Sequence, residues 1–312
     1  MKRFIKHAGS VVLVSLAMQA MPASAARLGV TMATFDNNFL TILRNNMKSY
    51  AASQKGVNLQ LEDAQNDVGR QISQVQNFIA QKVDAIVVSA VDTSTTPKIT
   101  KLAQAAGIPL VFVNRMPTDK TLPPKVAFVG SDDSVSGTIQ MKEVCRQLNG
   151  KGSVVIMMGD LATQEARLRT KYAEEVMAKA PCNGIKVVEK QTAKWSRTEG
   201  RDLVMNWMTA GLKFDAVVAN NDEMALGAIQ ALKSSGKLEK TVVAGIDATQ
   251  DALNAMKTGD MKVTVFQDAA AQGKGAVDAA IRLAAGEKVP SMIWVPYELV
   301  TAANYKSYQS RN

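Results

Sequence analysis

Val217-Val218-Ala219-Asn220-Asn221-Asp222-Glu223-Met224-Ala225-Leu226-Gly227, residues 217–227 of a 312-residue chain, reads as a buried strand running into a helix. The apolar run over 215–219 is too brief for a helix. Asn221 is a good N-cap. Asp222 and Glu223 put negative charge in the first turn, where free backbone N–H groups and the helix dipole favour it. Ala225, Ala228, Ile229 and Leu232 then recur at i, i+3, i+4 and i+7, a face packed on a sheet, and Gly236 ends the helix. Polar side chains therefore sit where a strand gives way to a helix, the place where open α/β sheets hold ligands. Taken alone, Asn221 needs no role beyond capping; repetition of the pattern along the chain adds one.

The same unit recurs on both sides of this stretch. Strands are expected at 27–33, 57–62, 84–89, 109–114 and 126–130. Helical faces follow the first two, marked by Leu40, Leu43, Met47, Tyr50 and Ala51 and then by Ile72, Val75 and Ile79, with another helix near 95–106. A second series places strands at 153–158, 185–189, 215–219, 241–246 and 262–266. Its helices lie near 163–179, 198–210, 222–235, 249–258 and 268–285. Such alternation predicts a parallel sheet covered on both faces, and two series predict two such lobes. No long Gly/Ser or Pro-rich linker separates them, so short crossings are expected.

The first 25 residues read as a leader rather than as fold. Lys2, Arg3 and Lys6 form a basic start, residues 11–20 a mostly apolar run too short to span a bilayer, and Ala23-Ser24-Ala25 a small-residue cleavage site. A secretory signal peptide cut after Ala25, and a periplasmic location, follow as expectations. Removing its three basic residues from 37 leaves 34 against 28 acidic ones, a net +6. The Lys residues are scattered, with no basic run or interleaved aromatics, so nucleic acid is not an expected partner. The single His, His7, leaves with the leader. The remaining chain lacks the commonest general base and metal ligand, and no metal or cofactor is expected. Cys145 and Cys182 are too few for a structural zinc site; they form one disulfide or stay two buried thiols, and an oxidising compartment favours the bridge.

Polar groups collect just past the strand ends. After the first strand come Asp36, Asn37, Asn38 and Phe39; after the fourth, Asn114 and Arg115. In the second series come Arg167 and Arg169, then Trp195, Asn221, Asp222, Asp247 and Gln267. The two arginines are two apart on one helix and cannot share a face, so at most one points into a cleft. The set suits a small polyhydroxylated ring. Each hydroxyl both donates and accepts, which amides, carboxylates and guanidiniums can match, while C–H faces lie against Phe39 and Trp195. A missing or inverted hydroxyl would leave buried groups unpaired, which gives discrimination.

At these residues the chain resembles the periplasmic sugar-binding proteins of ABC importers, in the ribose-, galactose- and inositol-binding group, over its whole length after the leader. The resemblance is carried by Asn37-Asn38-Phe39, Asp63-Ala64-Gln65-Asn66, Asn114-Arg115, Ala166-Arg167-Leu168-Arg169, the 221–227 stretch, Gly245-Ile246-Asp247-Ala248-Thr249 and Val265-Phe266-Gln267. It implies an α/β, type I periplasmic binding protein architecture: two doubly wound parallel-sheet, Rossmann-like lobes joined by a three-segment hinge. The lobes would be 26–130 plus 268–296, and 131–267 plus 297–312. It further implies ligand contacts from Asn37, Asn38, Phe39, Asn114 and Arg115 in the first lobe. Arg169, Trp195, Asn221 and Asp247 would contribute from the second, with Gln267 at the hinge.

Asn114-Arg115 stands where the family commonly has Asp-Arg. This pair, with residues 192–195 and 245–253, looks most like the inositol- and rhizopine-binding branch, so a cyclitol is expected ahead of ribose or another aldose. For rhizopine, an amino-cyclitol, Asp36, Asp222 or Asp247 would face the ammonium. The implied protein is a monomer, not an enzyme, with an inner-membrane ABC permease as partner and a chemoreceptor as a compatible listener. One rival is an exported hydrolase pairing Asp36 with Asp247, which needs a set carboxylate separation. A repressor-type regulator would need a helix-turn-helix where this chain carries its leader.

Overall fold

Alternate residues of the central strands face opposite sides, and this sets the layers of each lobe. The computed structural model describes residues 26–119 and 121–311; the leader read at 1–25 lies outside the described residues. In the first sheet, strands β1 (Ala26–Met32), β2 (Val57–Asp63), β3 (Ala85–Val88), β4 (Leu110–Val113), β5 (Val126–Gly130) and β11 (Met292–Trp294) run in the order β11-β5-β4-β3-β1-β2, all parallel. Ala85, Val87, Val111 and Val113 join one core, beneath helices α1 (Asn38–Ser53) and α9 (Ala269–Ala284). Ile86, Val88, Leu110 and Phe112 join the other, beneath α2 (Val68–Ala80) and α3 (Thr96–Ala105). A strand buried on both faces must read as an unbroken apolar run, as these do. Full burial of each such side chain stabilises by roughly 1.5–3 kcal/mol.

The second lobe repeats the plan. Strands β6 (Lys151–Met158), β7 (Gly184–Thr192), β8 (Ala216–Ala219), β9 (Val242–Ala244), β10 (Val263–Gln267) and β12 (Tyr297–Thr301) lie in the order β12-β10-β9-β8-β6-β7. Helices α4 (Asp133–Gln147) and α5 (Gln164–Met177) cover one face. The helices α6 (Arg197–Thr209), α7 (Asp222–Ser234) and α8 (Gln250–Lys257) cover the other. The expectation of wholly parallel sheets needs one correction: β12 is antiparallel to β10. The chain passes between sheets at three places: from β5 to α4, from β10 to α9, which packs on β1, β3, β4 and β5, and from β11 to β12.

Three elements escape the sequence pattern. The expected helices omit α4 because the first half of its buried face is small or polar (Asp133, Ser136, Gly137 and Gln140), and only Met141, Val144 and Cys145 near its end are apolar. Gly137 is required there, since a Cβ would overlap the Arg169 carbonyl oxygen of α5. The short strands β11 and β12, at three and five residues, carry partly exposed side chains and no clear alternation. Among the described residues no helix is long and apolar enough to cross a membrane.

Cys145 and Cys182 are joined, tying the last turn of α4 to the segment after α5 across 37 residues. In the chain-entropy account a cross-link of that span removes roughly 3–4 kcal/mol of unfolded-state freedom. Replacing both (Cys145→Ala, Cys182→Ala) should lower the unfolding free energy by about 2–4 kcal/mol in urea titration, and reduced wild type should match it. An unchanged midpoint would remove the bridge from the stability account.

Candidate ligand site between the lobes

The carboxyl ends of both sheets face one another across a narrow cavity with about 280 Å3 of atom-free space, part of it open to solvent. Its walls come from short segments set just beyond strands. Asn37, Phe39 and Leu40 stand at the start of α1, and Asn114 and Arg115 follow β4. Glu165 and Arg169 lie on α5, Trp195 follows β7, Asn221 opens α7, and Asp247 follows β9. The lobes are closed on it. Asn38 Nδ2 donates to Glu223 Oε1 across the gap at 3.2 Å, and the Gln164 N–H donates to Thr93 Oγ1 at 3.1 Å.

Two cavity residues do a second job as helix caps. Asn37 Oδ1 accepts from the Leu40 N–H and Asn221 Oδ1 from the Met224 N–H, each at 3.0 Å. Each cap satisfies an otherwise orphaned backbone donor, so the capping and cavity-lining readings of Asn221 hold together. The walls also hold strained backbone: Asn114, Lys194, Trp195 and Asp247 have φ of 65°, 47°, 66° and 123°. Non-glycine residues in that region cost on the order of 1–3 kcal/mol each and cluster where function over-determines geometry. Gly159 accommodates the result, because a Cβ there would overlap the Trp195 ring.

Three buried donors at the cavity have no hydrogen-bond partner among the described residues: Asn114 Nδ2, Arg115 Nε and Trp195 Nε1. Leaving a buried donor unmade costs about 1–3 kcal/mol, so three at one place ask for lone pairs from outside the chain. Arg115 is otherwise anchored by Nη1, which donates to the Ala90 carbonyl at 2.7 Å. Burial pulls the Arg115 guanidinium below its usual range, with Glu165 and Asp160 opposing. Burial also pushes the Asp247 carboxyl well above the carboxylate range, against the pull of Arg169.

Arg169 forms the floor, with 1% of its surface exposed. Its Nη1 donates to the Asn220 carbonyl at 2.6 Å, and its Nη2 to Glu165 Oε1 at 2.6 Å. It also reaches each chain crossing. Nε donates to Asp133 Oδ1 at 3.1 Å beside the first, while the two N–H bonds of Nη2, one of them shared, also reach Gln267 Oε1 at 2.9 Å in the second and Tyr297 Oη at 2.8 Å in the third. Tyr297 in turn donates to Asp133 at 2.8 Å. Burial opposes the guanidinium charge, but Glu165, Tyr297, Asp133 and Asp247 hold it protonated well above its ordinary range.

Eight of the ten residues singled out from the sequence line the cavity; Asn38 and Gln267 do not. Asn38 is spent on Glu223, and Gln267 holds Arg169 from behind. Arg167, two residues from Arg169, turns away to the Leu161 carbonyl. Of the carboxylates weighed for an ammonium, Asp247 lines the cavity and Asp36 an adjoining space. Asp222 is fully buried, accepting from Thr264 Oγ1 at 2.7 Å and from the Thr249 N–H at 2.8 Å. Asp36 and Asp247, the pair weighed for a hydrolase, line two adjoining spaces and not one. Sequence reasoning missed Leu40 and Glu165; the i, i+4 spacing of Glu165 before Arg169 was the available signal for the second.

Residues 28–288 match the model of a periplasmic binding protein domain. The chain belongs to the periplasmic binding protein family. It is 54% identical over 314 residues, covering 100% of both chains, to a putative rhizopine-binding protein of Rhizobium meliloti. It is 32% identical to a D-galactose/methyl-galactoside binding periplasmic protein of Haemophilus influenzae, over 89% of this chain and 88% of that one. A solved ABC transporter solute-binding protein from Bacillus halodurans with bound myo-inositol superposes with a TM-score of 0.88 at 43% identity. That match covers 93% of this chain and 99% of the other. The family and these relatives are solute-binding proteins, not enzymes, and so is this chain.

Three buried acids of this solute-binding protein, Asp133, Asp222 and Asp247, are raised by burial and contribute to its pH response. Burial raises Asp222 to about 7, opposed by the bonds from Thr264 and Thr249. Burial likewise raises Asp133 to about 7, with Arg169 opposing and Glu165 adding. Each folded-state value exceeds the unfolded one, so the native chain keeps protons that the unfolded chain has released between about pH 4 and pH 7. Their contribution to stability is full below that window and is lost as pH rises through it. Thermal unfolding should therefore occur at a higher temperature at pH 5.5 than at pH 8. Asp222→Asn should flatten the profile by on the order of 2–4 kcal/mol, and a slope unchanged in that variant would refute the assignment.

Proposed function

We propose that this protein is the periplasmic solute-binding component of an ABC importer and that it captures a cyclitol, inositol-like and including amino-inositols, by closing two lobes around it. The observation that carries the reading is the trio of unmet donors on Asn114, Arg115 and Trp195, in a cavity that also holds Asp247, Asn221 and Asn37. Hydroxyl oxygens supply the lone pairs those donors need, and hydroxyl hydrogens serve the carboxylates and amide oxygens. Arg169 lies with its guanidinium carbon 5.7 Å from the Trp195 ring centre, holding a flat apolar surface for the C–H face of a ring. The likeness to the rhizopine-binding relative and to the myo-inositol complex supports a cyclitol over an aldose.

The mechanism is binding without chemistry. Ligand groups meet both lobes only when the cleft is shut, so ligand binds the closed arrangement better than the open one and shifts the population toward it. The three crossings act as the hinge. The closed monomer then presents itself to a membrane permease.

A thermal-shift panel of myo-inositol, scyllo-inositol, an amino-inositol, ribose, galactose and glucose tests the reading. A cyclitol should stabilise the protein by about 2.7 kcal/mol at a hundred times its dissociation constant, with aldoses weaker. Trp195→Ala and Asp247→Ala should each weaken binding tenfold or more, equal to at least about 1.4 kcal/mol, while circular dichroism stays unchanged. Full affinity in both variants, or an aldose outcompeting every cyclitol, would overturn it.

A further inference from the structure

Beside the ligand cavity lies a second, larger space with about 1080 Å3 of atom-free volume, part of it open to solvent. Asn37, Arg115 and Trp195 line both spaces, so the two are separated by no more than those side chains. Like the cavity, this vestibule takes walls from both lobes: Asp36 and Asn66 from the first, Lys194 from the second. Its rim is already committed, because Arg197 makes a two-bond pair with Glu223 at 2.9 Å for each bond, and Glu223 also takes the Asn38 amide. Asp36 and Lys194 make no ion pair among the described residues, and both are exposed.

We infer that the site accepts ring ligands carrying a bulky polar substituent, such as a second sugar ring, with the parent ring in the cavity and the substituent in the vestibule. The inference rests on the cyclitol reading for the identity of the parent ring. A cavity walled by backbone on every side would reject any substituent; here Asn37, Arg115 and Trp195, which line both spaces, form the partition, and side chains can turn aside. The chemistry of that chamber favours neutral, hydroxyl-rich groups. Arg197 and Glu223 are paired with each other, which leaves Asp36, Lys194, the edge of Arg115 and the Asn66 amide to meet a substituent, a mixed set of acceptors and donors that suits hydroxyl groups. A hydroxyl-bearing substituent bonds to such a set without a net charge cost.

Calorimetric titration with myo-inositol and with its galactosyl conjugate, galactosyl-myo-inositol, tests this. Wild type should bind both, within about tenfold of each other. Asp36→Ala and Asn66→Gly, the latter keeping the positive φ of 57° that Asn66 has, should weaken the conjugate five- to tenfold and change myo-inositol less than twofold. Thermal unfolding of the unliganded variants checks that each is folded. Binding of myo-inositol with no binding of the conjugate overturns the inference and leaves the parent reading standing. So does a pair of variants that weakens both ligands equally, or neither. Failure of both ligands to bind wild type removes the parent reading and this one with it.

Discussion

One guanidinium holds the architecture together. Arg169 is buried, and its hydrogen bonds reach Asp133, Gln267 and Tyr297, one residue from each place where the chain passes between lobes. A buried cation is tolerable only when its charge is paired and its donors are met, and this one is surrounded by Asp133, Glu165 and Asp247. The pairing adds little over a well-packed apolar core; its loss would strand three buried carboxylates. Geometry is what it contributes. The same side chain forms the cavity floor and braces Trp195, so the positions of the crossings and of the cavity wall are set by a single group.

Around that floor the structure accepts local costs. Asn114, Trp195 and Asp247 sit in left-handed backbone, and Asn114, Arg115 and Trp195 keep buried donors without partners. Left-handed backbone and unmet donors occur elsewhere in the lobes too, but at this cavity the two fall on the same residues, Asn114 and Trp195, and face a space a ligand can enter. In the proposed reading the ligand's oxygens offset those costs, and only in the closed arrangement. The Asn38–Glu223 bond across the mouth is too slight to hold that arrangement by itself.

Much of this was legible in residue order. The two series of apolar runs and helical faces announced two α/β lobes, and the polar residues beyond the runs named eight of the side chains that now share a cavity. Helix α4 was hidden because apolar residues occupy only the end of its buried face, the first half being Asp133, Ser136, Gly137 and Gln140, with Gly137 set by close approach to α5. Asn38 and Gln267 lie next to the cavity and turn their amides to Glu223 and Arg169. Glu165 went unnoticed since its value lies in facing Arg169, which no period reveals.

Residue order by itself determined the repeated strand–helix unit, the cap at Asn221, and the polar groups past several strand ends, because periodicity and capping are local and act over a few residues. Which of two arginines two apart enters the cavity, which amide is free for a ligand, and how three distant crossings come to share one guanidinium were decided only by tertiary structure. Those outcomes depend on the direction of a side chain and on partners up to 128 residues away, as with Arg169 and Tyr297, and such distances are closed only when the sheets pack.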